Sequence, residues 1–105
     1  MNENAMSIID KQDILLRLNA QRALLGNIPA SLRCVSVEYN STEIMCSFVF
    51  DGIPSADDKE LLSHAATEII ADYPDVYTIN EVYLSIPYPK NMPYLRNIVF
   101  MRYEK

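Results

Sequence analysis

The sequence contains no tryptophan, two glycines, two cysteines and one histidine. Gly26 and Gly52 stand alone, so no glycine-rich loop exists to cradle a phosphate. His64 with Cys34 and Cys46 gives three zinc ligands at most, without CxxC or HxxxH spacing. His64 follows Ser63, but adjacent helical residues diverge by about 100° and make no nucleophile–base pair. The segment Asp51–Leu62 superficially suggests a calcium loop, yet Ile53, Ala56 and Leu62 stand where oxygen ligands and a glycine are needed. No metal, cofactor or catalytic residue is therefore expected. Two cysteines exclude a disulfide scaffold and read as small buried hydrophobes. Their alternative reading is a redox pair facing across a hairpin.

Long apolar runs are also missing, and nothing approaches the roughly 18 residues that span a bilayer. The opening MNENAMSIIDKQDILLRLNA has neither the basic start nor the apolar stretch of a secretory signal. A cytoplasmic protein without a membrane partner is the expectation. Bases are few: 9 Lys and Arg against 14 Asp and Glu give a net charge of −5. That balance argues against nucleic acid as a partner, because phosphate backbones demand clustered cations.

What is present is an ordinary globular composition, half hydrophobic over 105 residues, enough for one domain covering 1–105. Residues 1–6 read as a flexible leader, with Met6 as a second possible start. The first helix is expected over Asp10–Leu25, with Ile14, Leu15, Leu18 and Leu25 as its apolar stripe. Ile8 or Ile9 serves as a staple, and Gly26 and Pro29 end the helix. Leu32–Tyr39 and Glu43–Asp51 alternate in polarity around Asn40-Ser41-Thr42, which predicts an antiparallel hairpin. Asn40-Ser41-Thr42 also spells a glycosylation sequon, which a cytoplasmic chain does not use.

Ser55 has the chemistry of a helix N-cap, with Asp58 three residues on. The stripe Leu61, Leu62, Ala65, Ala66, Ile69, Ile70, Tyr73 then marks a second helix, stopped by Pro74. Tyr77–Ile86 and Leu95–Tyr103 read as strands around a loop rich in proline, Pro87 to Pro93. The order αββαββ predicts an α+β fold: two layers, a four-stranded sheet with two helices on one face. Parallel pairing of the second and third strands would make the second helix a crossover. The other sheet face, with its Tyr and Met residues, is a candidate partner or homodimer surface.

Charge is unevenly placed. Asp51, Asp57, Asp58, Glu60, Glu68, Asp72, Asp75 and Glu81 fall in one segment with a single base, Lys59. That segment carries −7 and the remainder +2. Acids in the first helical turn also serve the helix dipole, and a solvated acidic face also keeps a protein soluble. The functional reading is a patch that attracts a basic partner.

The run Phe48-Val49-Phe50-Asp51-Gly52-Ile53-Pro54-Ser55-Ala56-Asp57-Asp58-Lys59-Glu60-Leu61-Leu62, continued by Ala66-Thr67-Glu68-Ile69-Ile70-Ala71-Asp72-Tyr73-Pro74, resembles small bacterial immunity proteins of polymorphic toxin systems. These include contact-dependent growth inhibition and colicin-like systems. The likeness covers roughly residues 45 to 103. It implies a non-enzymatic antidote, or antitoxin, that occludes the active site or substrate surface of a cognate toxin domain. Many such toxins are nucleases and basic, which suits an acidic inhibitor. Asp57, Asp58, Glu60, Glu68, Asp72 and Asp75 are the expected contacts to toxin Lys and Arg, with Tyr73, Tyr77 and Tyr88 as aromatic anchors. Two other readings stay open: a small-ligand or enzymatic α+β domain, and a dimeric scaffold subunit.

Overall fold

A computed structural model describes residues 3–105, with side chains from residue 11 onward. The elements run α1 (Glu3–Leu24), β1 (Leu32–Asn40), β2 (Glu43–Phe50), α2 (Ala56–Ala71), β3 (Thr78–Ser85) and β4 (Asn97–Met101). This is the expected αββαββ order of an α+β fold. Helix α1 starts well before Asp10, since no Gly or Pro interrupts the chain from residue 1 to Leu25. The expected staple at Ile8 or Ile9, and the side chains of the leader at 1–6, fall outside the described residues.

Alternating polarity over Leu32–Phe50 produces the β1–β2 hairpin, with Val35 opposite Phe48, Val37 opposite Cys46 and Tyr39 opposite Ile44. The turn needs a left-handed residue, and Ser41 supplies it at φ 59°. Strand β3 lies parallel to β2, and α2 is the connection that parallel strands require. Strand β4 adds antiparallel to the far side of β1, so the sheet order is β3-β2-β1-β4.

One face of the sheet presents Val35, Val37, Ile44, Cys46, Phe48 and Phe50 to the helices. Leu62, Ala65, Ala66 and Ile69 of α2 close over it, as the periodicity predicts. Helix α1 departs from prediction. Leu16, Ala20, Ala23 and Leu24 face the core, whereas Ile14, Leu15, Leu18 and Leu25 are exposed, the last three at 64, 56 and 76%. Polar bonds fix this rotation. The buried Asp13 carboxylate accepts from Asn97 Nδ2 (3.0 Å) and pairs with Arg96 Nε (3.3 Å), tying α1 to the entry of β4. Asn19 donates across to Ile69 O of α2 (3.5 Å). Turning α1 to bury Leu18 would take Asp13 and Asn19 from those partners, and a buried polar group without a partner costs about 1–3 kcal/mol.

Because β3 and β4 occupy opposite edges, the chain between them must cross the sheet. Residues 86–96 do so over the face without helices. There Leu95 donates its N–H to Ser36 Oγ (3.0 Å), and Cys34, Ser36, Ser47 and Val49 are buried. The face expected to be an open Tyr- and Met-bearing surface is thus largely roofed, leaving Ile98, Met101 and Tyr103 exposed at the β4 side. The proposed redox pair is excluded by the same pleat. Cys46 lies opposite Val37 on the core side and Cys34 opposite Val49 on the other, so a sheet separates the two thiols.

Candidate functional site

Ser55 caps α2 by accepting the Asp58 N–H (3.0 Å). The Asp58 carboxylate turns away from the capping box and accepts from Ser31 Oγ (2.9 Å), fastening the helix start to the loop before β1. Asp57 and Glu60 remain exposed. Glu60, His64, Glu68 and Asp72 follow at intervals of four, so they form one stripe along the outer side of α2. Glu60 Oε1 lies 3.9 Å from His64 Nε2. The stripe is long. At about 1.5 Å per residue, Asp57 stands roughly 22 Å from Asp72.

The expected partner residues therefore split. Glu68, Asp72, Tyr73 and Tyr77 gather where the end of α2 meets α1, while Asp57, Asp58 and Glu60 sit at the opposite end of α2. Asp75 is exposed in the loop beyond. The Tyr73 and Tyr77 rings pack in a tilted pair, 5.1 Å between centroids and 45° between planes. Burial holds the Tyr73 hydroxyl above its usual pKa, and a hydrogen bond with Asn19 partly offsets this. Tyr88 is not part of this cluster. It lies in the crossing segment, where its hydroxyl donates to Lys105 O.

Four further residues complete the site, and the sequence reading assigned none of them to it. Leu15, Leu18, Asn19 and Arg22 of α1 join Asp72 and Tyr73 around a groove of about 640 Å³. Arg22 Nη2 reaches both Asn19 Oδ1 (2.9 Å) and Asp72 Oδ2 (3.3 Å), and both members of the ion pair are solvated. A smaller recess beside it is lined by Gln12, Leu15, Tyr39, Tyr73 and Tyr77. The outer surface of the helix layer is thus an apolar, aromatic channel flanked by acids on α2 and by a cation on α1. Leu15 and Leu18 were visible in the sequence as apolar residues, but they read as core.

The other titratable cluster lies on the far side of the sheet. The Arg33 side chain, only 3% exposed, binds Glu104 through both carboxylate oxygens (Nε–Oε2 2.7 Å, Nη2–Oε1 2.9 Å). Its Nη1 donates to Ile86 O (2.7 Å) and Lys90 O (3.0 Å). Arg102 Nη2 bridges Glu104 Oε2 and Asp51 Oδ2, each at 3.0 Å, and Asp51 Oδ1 accepts the Tyr88 N–H (3.0 Å). The hydrogen bond from Arg33 holds Glu104 below the usual carboxylate range, and that from Arg102 does the same for Asp51. Every strong donor here is matched within the chain, so the cluster is a fastening for the crossing segment.

Neither thiol is poised for chemistry. Burial pushes Cys34 up to about 11 and Cys46 up to about 12. Among the described residues, no group of three His, Cys, Asp or Glu is placed to hold a metal, and no helix is long and apolar enough to cross a membrane. Comparison with known families matches residues 13–104 to the family described as MafI2 immunity protein. No curated protein matches the chain.

Proposed function

The chain belongs to the MafI2 immunity protein family, and from that premise we propose that it neutralises a cognate toxin domain in the cytoplasm by binding it, without catalysis. The acidic stripe of α2 meets Lys and Arg of the toxin, and Tyr73 and Tyr77 anchor the contact beside the exposed Leu15. Occlusion of the toxin's basic active-site or substrate surface, as in a nuclease, is the mechanism this charge suits. Supporting it, Asp57, Glu60, Glu68 and Asp72 of the acidic segment lie exposed along α2 and its C-cap, and the Tyr73–Tyr77 aromatic pair follows at the end of that helix. Acids rimming an apolar contact steer association and select partners by sign, while the aromatic centre slows release.

The test uses a candidate toxin domain, sought in the reading frames that neighbour this gene. Co-expression of the chain is expected to restore growth to cells making that domain. Asp57→Lys with Glu60→Lys leaves the Asp58–Ser31 bond intact. It is expected to slow association about tenfold or more at ~50 mM salt, with the difference shrinking at ~300 mM. Equal association rates at both salt concentrations would remove the stripe from the mechanism, and failure to restore growth would remove the antidote reading itself.

A further inference from the structure

The outer surface of the helix layer carries more apolar area than a solvated face needs. Ile14, Leu15, Leu18 and Leu25 share one side of α1 with Lys11 and Arg22. Clustered exposure of this kind on one helix marks an interface. The neighbouring α2 offers the opposite character, with Asp57, Glu60 and Glu68 outward. The two helices thus display complementary surfaces side by side on the same layer.

We propose that this layer is a two-fold interface between two copies of the chain, in which α1 of each copy lies across α2 of the other. Rotation about an axis running along the layer exchanges the helices and keeps their levels. Arg22 already stands level with Asp72 in its own chain, at 3.3 Å. In the pair it faces Glu68 and Asp72 of the second copy. Leu15 and Leu18 close the centre against their symmetry mates and fill the groove that each chain leaves open. A face that is self-complementary in charge and apolar at its middle fits an isologous contact. By contrast, pairing α1 on α1 or α2 on α2 would set like charges together. The proposal does not depend on the toxin reading. If both hold, the toxin's basic surface competes with the second copy for the stripe on α2.

Light scattering and sedimentation of the full chain test this from ~10 µM to ~500 µM, since a dimer's apparent mass follows mass action. One chain weighs 12.0 kDa, and the mass is expected to climb to twice that value with concentration. Leu18→Asp is expected to weaken self-association at least about tenfold with unchanged melting, because Leu18 is outside the core. Arg22→Glu alone and Glu68→Lys alone are each expected to stay single, whereas their mixture pairs, because each swap supplies the other's missing sign. Wild type at one chain's mass throughout, an undiminished dimer in Leu18→Asp, or no pairing in the mixture would each overturn the proposal. A single-chain wild type whose Leu18→Asp variant loses the toxin assigns the groove to the toxin instead.

Discussion

Arg33 shows how one side chain can hold distant segments in place. Its guanidinium gathers a carboxylate from after β4 and two carbonyls from the crossing segment, all from a position in β1. Removing it would leave those carbonyls without their donor and Glu104 without its main partner. Arg33→Met is expected to lower the melting temperature by more than roughly 5 °C at pH 7, measured by circular dichroism. The same pairing gives stability a pH dependence. Glu104 and Asp51 titrate lower in the folded chain than in the unfolded one. Their contribution is therefore complete above the unfolded values of about 4.3 and 3.9 and disappears as pH falls through the lowered folded values. Melting curves of Glu104→Gln and wild type should differ most above about pH 5 and converge as both carboxylates protonate. A constant difference down to pH 2 would contradict the assignment.

The two helices differ in how far their sequences disclosed their placement. In α2 the inner positions are Leu62, Ala65, Ala66 and Ile69, and acids fill the outer side, so the stripe has one interpretation. In α1 the large apolar residues Ile14, Leu15 and Leu18 outweigh Ala20 and Ala23, and the pattern points outward. The deciding contacts belong to Asp13 and Asn19, whose partners Asn97 and Ile69 are remote in sequence. Cys34 and Cys46 were ambiguous for a related reason. Two strands of a hairpin bring residues close, but only the register decides which side each occupies. Of the candidate site, the acids and Tyr73 and Tyr77 were legible, whereas Leu15, Leu18 and Arg22 were hidden by the misleading helix face. A paired substitution checks the rotation. Leu16→Ala is expected to cost about 2–5 kcal/mol in urea unfolding, and Leu18→Ala less than about 0.5 kcal/mol. Similar losses at both positions would place Leu18 in the core after all.

Across the whole molecule, protection should follow the order of the sheet. Strands β1 and β2 have a hydrogen-bonded neighbour on each side, while β3 and β4 are edges. Hydrogen exchange is expected to be slowest in Val35, Val37, Cys46 and Phe48 and faster along β3 and β4. Uniform protection across all four strands would show that the edges are covered in solution, as by an added strand. The exposed acids and the internally paired charges also separate at this scale, with the stripe on α2 on the helix side of the sheet and the Arg33–Glu104–Arg102–Asp51 fastening on the other. One side is thus left free to engage a partner while the other is occupied with its own architecture.

The position of β4 bears on synthesis. Strand β1 leaves the ribosome early, yet the neighbour it needs, paired through Val37 with Asn97, is made only when most of the chain has been translated. Closing so wide a loop is the slow part of assembling such a sheet. A chain broken off before Asn97 would leave one flank of β1 open and Asp13 without its amide partner. An incomplete copy would thus present an open strand edge to other chains, a template for aggregation that only the finished strand order covers.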